Sequence, residues 1–414
     1  MHNITQFKTI LTYGLFAFMI GLIASCGPNN NDPVDPSPTE LTQHSRTYFE
    51  YFGSQIVVQV WGDETLDYAN IFSEIDDLLR HTHIHATRYD AFPDIVNVLT
   101  INEQPNTWHT VDPILIEMVE LGQYYYNHPL AGQAFDITLG PVLDLWGEYR
   151  DRCLASRAEA DEDCEVPSLQ SLQLAAGDQS VLNPNAIEID KETNRLRIPD
   201  GLGLDLGGIA KGYGAREVGR YLRTTDVQHF IVNAGSSNIE FYGSHPSGTR
   251  DYWLVGTRNP FNPFDTYARL KLFSGENSVT SGDYERFYTV DGVNYHHIID
   301  PATLFPANHI RATTIVGPDP LLADIYSTLV FVLPIDEAIA FIDALEGYEA
   351  IWMLADRSVR FSENFEAQHL YEIRVEHTQD DARPLMISIV GFIGFITLGA
   401  VISSLKKYRN TQTS

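Results

Sequence analysis

The sequence predicts an α+β fold. From Asn185 onward short strand-forming runs follow one another with turns between them, and segments with helical spacing stand before and after that stretch. The regular strand–helix alternation of a doubly wound sheet is missing. At 414 residues with 44% hydrophobic and 20% charged side chains, the chain has enough apolar material for a sizeable core.

Taken in order, the first element is a targeting segment. Lys8 gives a thin positive start and Thr9–Ser25 is an apolar run. It ends in Ile23-Ala24-Ser25-Cys26, the pattern of a bacterial lipobox, so residues 1–26 are expected to be a lipoprotein signal with Cys26 as the lipidated residue. An uncleaved N-terminal anchor is the alternative. Residues 27–45, rich in Pro, Asn and Asp, are expected to be a disordered tether.

The globular body is expected over residues 46–378. Phe49–Trp61 alternates and is rich in β-formers, which predicts a strand pair or one bent strand. Asp67–Leu79 and Ile114–Tyr126 have helical spacing. Asp136–Trp146 is apolar but interrupted by Gly140-Pro141, and Arg150–Pro167 reads as an inserted acidic surface loop. Cys153 and Cys164 lie close together in that loop, and outside the cytoplasm they are expected to form a disulfide. Strands are expected in AIEID, RLRIP, FIVNAG, IEFYG, YWLVGT, ARLKLF and TTIVG, then helices at Ala323–Leu333 and Ile335–Leu345, then a strand at Ala350–Leu354.

Leu385–Leu405 carries no charge and is about long enough to span a bilayer as a helix. Lys406, Lys407 and Arg409 follow it, so the positive-inside rule places the tail 406–414 in the cytoplasm and the body outside. The expected location is the cell membrane, with a lipid anchor and a transmembrane helix.

Charge narrows the partners. With 27 basic against 55 acidic residues the formal charge is −28, which disfavours nucleic acid. An anionic ligand would need a metal ion or a local patch of donors. Three cysteines exclude a Cys-rich zinc protein.

Three constellations have chemical potential. Asp205–Tyr213 (DLGGIAKGY) leads an acidic residue through two glycines into a helix-like run, with Lys211 at its mouth. Backbone N–H groups at such a helix start suit an anion, although a plain glycine turn capped by Asp has the same spacing. In Ala323–Thr328 (ADIYST), Asp324 and Thr328 stand at i and i+4, so both oxygens lie on one helix face and suit a hard cation such as Mg2+. An N-terminal helix carboxylate favoured by the dipole is the other reading. His296-His297 precedes an apolar pair and a turn, and reads either as a general base or as a hydrogen-bonded pair at a strand end. His81, His83 and His85 suggest a zinc site, but no acid or thiol is spaced nearby to complete it, so a solvated helix end is expected there.

These segments, in this order, resemble the ApbE family of FAD:protein FMN transferases. The resemblance rests on DLGGIAKGY at Asp205, VNAGSSNI at Val232, TSGDYERF at Thr280, HHIIDP at His296 and ADIYSTL at Ala323. FDITLGPVLDLWG at Phe135 and HATRYDAF at His85 also match, so the likeness covers roughly residues 46–375. It implies a Mg2+-dependent transfer of FMN from FAD, the substrate, onto a threonine of an extracytoplasmic redox protein, with release of AMP. It further implies Asp324, Thr328 and the Gly208 carbonyl as metal ligands, and His297 as the base. Flavin-nucleotide contacts would be Phe52, Tyr89, Ala134, Phe135, Asp136, Asp205, Lys211 and Ile298.

The chain departs from the family pattern at three places. Ile325-Tyr326 is bulkier than the usual small pair, Leu304-Phe305 replaces a glycine, and Phe52-Gly53-Ser54 stands for Met-Gly-Thr. A Mg2+-dependent FAD pyrophosphatase and a non-catalytic flavin-binding lipoprotein are the alternatives to the transferase.

Overall fold

Apolar alternation on both faces of the central strands decides how this chain layers. The computed structural model describes residues 41–158, 164–177 and 182–374. The expected signal with Cys26, the membrane segment 385–405 and the tail 406–414 lie outside them. Among the described residues no helix is long and apolar enough to cross a membrane.

β1 (Thr42–Tyr48) and β2 (Ile56–Gly62) form an antiparallel pair with Tyr48 opposite Ile56. The first half of the run Phe49–Trp61 is therefore the turn between them. Phe52 and Gly53 both take positive φ (53° and 58°) and reverse the chain. β1 starts within the stretch 27–45 expected to be a tether, so the last residues of that stretch belong to the sheet.

α1 (Tyr68–Ala86) is capped by Asp67, whose carboxylate accepts from the Asn70 N–H. It runs a further two turns past Leu79 because Leu79, Ile84 and Ala86 keep an apolar face inward. α2 (Val98–Glu103) and β3 (His109–Thr110) lead to α3 (Pro113–Tyr126), capped by Asp112 with Pro113 in the first turn.

α4 (Gly140–Ala158) corrects two expectations. Gly140-Pro141 begins this helix, since a proline is tolerated where no intrahelical N–H is needed. The helix then runs on through the first half of Arg150–Pro167, expected as a loop, where the charge-rich sequence has no apolar stripe to announce it. α5 (Leu169–Ala176) packs beside it. Cys153 and Cys164 are joined as expected. Cys153 is fully buried against Trp146, Leu172 and Tyr288, so the bridge is part of a small core and not a peripheral ornament. Closing a loop of this size stabilises by about 3 kcal/mol. Cys153→Ser should lower the unfolding free energy measured by urea titration by that amount, and reduction of the wild-type protein should reproduce the loss.

β4 (Glu188–Asp190) and β5 (Arg195–Arg197) make a small sheet with β3. α6 (Ala210–Leu222), β6 (His229–Ala234), β7 (Asn238–Tyr242), β8 (Trp253–Asn259), β9 (Asn262–Leu272) and β10 (Asn277–Gly282) follow. The hairpin of β11 (Tyr288–Val290) and β12 (Val293–Tyr295) precedes β13 (Ile310–Gly317), α7 (Pro320–Val332) and α8 (Ile335–Asp343). β14 (Glu349–Leu354), β15 (Val359–Phe361), α9 (Phe365–Gln368) and β16 (Leu370–Ile373) complete the body.

The main sheet has the order β1-β2-β6-β7-β10-β13-β14-β15, antiparallel throughout. One face meets helices: Ile56, Val58 and Val60 of β2 pack with Ile75 and Leu79 of α1 and with Val218 and Leu222 of α6. Farther along, Ile315, Ala350 and Trp352 pack with α7 and α8. The opposite face of β13 and β14, through Ala312, Val316, Ile351 and Met353, packs on the sheet β16-β9-β8. Helices, main sheet and small sheet form three layers, so β14 reads as an apolar run from Ala350 to Leu354, while β13 buries Thr313 and Thr314 among its apolar residues. The α+β expectation holds. β10 was not expected, because its Ser, Thr and Gly carry little β signal.

Candidate active site

The junction of α6 and α7 gathers the strongest sequence candidates. α7 is capped by Asp319, which accepts from Leu321 and Leu322 N–H, and its first turn opens with Pro320. One turn on, Asp324 is 5% exposed and its Oδ2 accepts from the Gly212 N–H at 2.8 Å. Lys211 Nζ lies 3.8 Å from its other oxygen. Burial pushes the Asp324 carboxyl above its ordinary value, and the Lys211 ammonium and the Gly212 N–H oppose that rise. A cation beside it would favour the ionised form further.

Gly212 is required for this approach. A Cβ there would sit 2.7 Å from both Asp324 Cβ and the Pro320 carbonyl oxygen. Gly212→Ala should therefore cost about 1–3 kcal/mol by overpacking and move the Asp324 carboxylate off its donors. Thermal unfolding together with activity measures both effects.

Thr328 follows Asp324 by one turn, and its hydroxyl donates to the Asp324 carbonyl at 3.3 Å. Gly208 faces it: a Cβ on Gly208 would be 3.7 Å from Thr328 Oγ1 and 3.1 Å from the Phe135 ring. Phe135, Gly208 and Thr328 are thus neighbours, and the absence of a side chain at Gly208 leaves its backbone open to a ligand. Asp324, Thr328 and a backbone carbonyl are all oxygen donors, which suits a hard cation such as Mg2+.

The glycine loop before α6 is stitched to the segment around Phe135. Asp205 N–H donates to the Ile137 carbonyl at 2.8 Å and Gly140 N–H to the Gly203 carbonyl at 3.0 Å. The Asp205 carboxylate accepts from the Gly207 N–H at 2.8 Å and from Arg88 at 3.1 Å. The reading of DLGGIAKGY as an Asp-capped glycine turn is realised here: Asp205 fixes the turn, and no side chain caps α6 itself. Arg88 also reaches Asp144 and the Gly140 carbonyl. It was not singled out in the sequence, because its partner Asp205 lies 117 residues away.

The two histidines divide the alternatives between them. His296 is buried, donates through Nε2 to the Ala307 carbonyl at 2.7 Å and stands edge-on to Phe331 of α7. It is the buried one, with its other ring nitrogen accepting from the Ile298 N–H. His297 donates through Nδ1 to the Glu285 carbonyl at 3.2 Å, which leaves Nε2 with its lone pair. His297 is exposed at its surface; partial desolvation, with the charges of Arg286, His296 and Lys211, lowers the imidazole below its ordinary value. The ring is held neutral with Nε2 unprotonated, and Lys211 acts on both His297 and Asp324.

The remaining candidates lie on segments that flank this centre. Phe52 N–H donates to His83 Nδ1 at 3.3 Å, and its ring sits over Gly214 of α6. Tyr89 is 74% exposed, with the Arg88 guanidinium 5.6 Å from its ring centroid. Ala134 and Ile298 are buried in the core beside Phe135 and His297. Asp136 holds its own turn by accepting from the Thr138 N–H and hydroxyl, and burial raises its carboxyl.

The ApbE family model matches residues 52–352. The chain belongs to the ApbE family. It is 31% identical over 259 residues to the FAD:protein FMN transferase of Treponema pallidum, covering 61% of this chain and 68% of that protein. The Klebsiella pneumoniae protein of the same name is 29% identical over 231 residues, covering 55% of this chain and 66% of its own length, just under two thirds. The ApbE protein of Thermotoga maritima superposes with a TM-score of 0.67 at 26% identity, covering 79% of this chain and 99% of that one. The apo flavinyl transferase ApbE of Pseudomonas stutzeri, at 23% identity and a TM-score of 0.64, shares the fold, covering 80% of this chain and 98% of that one.

Two departures from the ApbE pattern have a physical account. Tyr326 turns away from Asp324, hydrogen-bonds Tyr125 at 2.8 Å and packs edge-on to Phe341 and Tyr348, while Ile325 is buried in the core. The bulky pair therefore fills the helix's inner faces and leaves the Asp324–Thr328 face clear. Leu304 stands where the ApbE pattern has glycine and takes φ 64°, a strained value for leucine. Its carbonyl accepts from Trp146 Nε1 at 2.9 Å and its side chain is buried, contacts that hold it there.

Proposed function

We propose that this chain transfers FMN from FAD onto a threonine hydroxyl of an extracytoplasmic redox protein, releasing AMP. The observation that carries the reading is the convergence at the α6–α7 junction of Asp324, Lys211, Thr328 and Gly208, with a neutral His297 under the same Lys211 charge. Asp324, Thr328 and the Gly208 carbonyl would hold Mg2+, which when bound neutralises charge on the pyrophosphate and on the departing AMP. His297 Nε2 takes the proton of the acceptor hydroxyl. The threonine oxygen bonds to the FMN phosphorus, and the bond from that phosphorus to the bridging oxygen breaks, so that AMP leaves with it. Lys211 adds a positive charge against the developing negative charge at the same place.

His297 Nε2 would equally accept a proton from water, and FAD hydrolysis to FMN and AMP is the second reading. Incubation of the chain with FAD, Mg2+ and a threonine-containing acceptor separates them. Transfer gives a fluorescent flavin band that survives denaturing electrophoresis; hydrolysis gives free FMN and an unlabelled acceptor.

The body is proposed to face outward from the cell membrane, held by a lipid on Cys26 and by a helix over residues 385–405. Either anchor suffices, since a spanning helix is effectively irreversible and a diacyl cysteine is stable. Truncation after residue 384 should leave the protein in the membrane fraction, and so should Cys26→Ala in the full chain. A truncated chain that is fully soluble with unmodified Cys26 would remove the lipid anchor from this account.

A further inference from the structure

On α1, His81 and His85 stand one turn apart and face the start of α3, where the structure supplies the acidic partner that the local sequence lacks. Asp112 Oδ2 lies 2.9 Å from His81 Nε2 and 3.8 Å from His85 Nε2, and the three ligand atoms all lie within 4.8 Å of one another. We propose that these three residues form a second metal site, selective for a borderline divalent cation such as Zn2+. It is independent of the flavin chemistry at Asp324.

The hydrogen bonds around the trio point the same way. His85 Nδ1 faces the His81 carbonyl at 2.8 Å, an acceptor only, so Nδ1 bears the proton and Nε2 bears the lone pair. That lone pair is directed at a carboxylate oxygen 3.8 Å away. In the neutral ring, a cation between that nitrogen and the carboxylate oxygen satisfies both. A ring N–H donated to a carbonyl is also how metal-bound histidines are oriented. Asp112 divides its two oxygens: Oδ1 accepts from the Ile114 N–H and caps α3, while Oδ2 stays toward the imidazoles. Without the ion, His81 Nε2–H donates to Oδ2; on binding, that proton moves to Nδ1, on a side chain that is 46% exposed.

Spacing and donor type select the ion. Tetrahedral zinc, with bonds of about 2.0–2.2 Å, sets its ligand atoms roughly 3.3–3.5 Å apart. The separations of 2.9 and 3.8 Å bracket that value, so small side-chain rotations suffice. Two imidazoles with one carboxylate favour zinc over magnesium. Three protein ligands leave a fourth position for water. His85 and Asp112 side chains are 11% and 22% exposed, so the site is walled by protein yet reachable by an ion.

The test is a Zn2+ titration of the full chain by calorimetry in excess Mg2+, with Co2+ absorption as a second readout. The wild-type chain should bind one equivalent, show the visible bands of tetrahedral Co2+ and unfold at a temperature that rises with Zn2+. His85→Ala and Asp112→Asn, the latter keeping the helix cap, should each weaken binding about 100-fold and lose the Co2+ bands. Asp324→Ala should leave the Zn2+ isotherm unchanged. Equal Zn2+ binding by the wild type and His85→Ala would overturn the proposal, and so would loss of the isotherm in Asp324→Ala, which would place the ion on α7.

Discussion

Asp324→Ala is expected to reduce FMN transfer by several orders of magnitude. The carboxylate is buried and accepts from the Gly212 N–H, with Lys211 as its sole ion-pair partner among the described residues. Its loss removes the charged ligand for Mg2+, and metal stabilisation of charge in such transfers is typically worth several kcal/mol. It also strands the Gly212 N–H, a fold-level cost of about 1–3 kcal/mol. Asp324→Asn separates the two, because asparagine keeps an acceptor for Gly212 while losing the charge. Both variants should be inactive, whereas Asn should retain more of the wild-type melting temperature. FAD binding should fall less than turnover, since the ends of the nucleotide keep their contacts.

His297→Ala should give a different profile: FAD and metal still bound, and chemistry slowed roughly 10²–10⁴-fold, the usual range for a lost general base. The sign of its pH dependence follows from its surroundings. Partial desolvation, Arg286, His296 and Lys211 lower the imidazole below its ordinary value, so the unprotonated base persists as pH falls. In the wild-type chain the acid limb of kcat/KM should lie below pH 6.5, the ordinary value for histidine. In His297→Ala that limb should vanish, and raising the pH should restore part of the rate by supplying hydroxide. Normal turnover in this variant would remove His297 as the base and leave the metal role in place.

Much of this site can be read in the chain itself. Asp324 and Thr328 share a helix face by spacing alone, and Asp205-Leu206-Gly207-Gly208 announces a turn into a helix. What escapes a linear reading are partnerships across long separations. Arg88 meets Asp205, and Asp112 meets His81 and His85, only when distant elements pack. The two histidines at 296 and 297 are alike in sequence, and only the fold shows that His296 is buried on the Ala307 carbonyl while His297 is exposed beside the Glu285 carbonyl. Among the elements, β10 escapes because its strand is built on pairing with β7 and β13 and not on β-branched residues, and the end of α4 escapes because charge covers it. The core strand β14 is legible because burial on both faces demands an apolar run, met by Ala350 to Leu354.

The most direct test of the Asp324 centre is the ratio of AMP released to flavin covalently bound, measured with FAD, Mg2+ and membrane proteins from source cells lacking this chain. The wild-type chain should give one AMP per flavin attached to a threonine, located by mass spectrometry, and Asp324→Asn or EDTA should abolish both products together. AMP formation with the acceptor unlabelled, or labelling that persists undiminished in Asp324→Asn, would contradict the account.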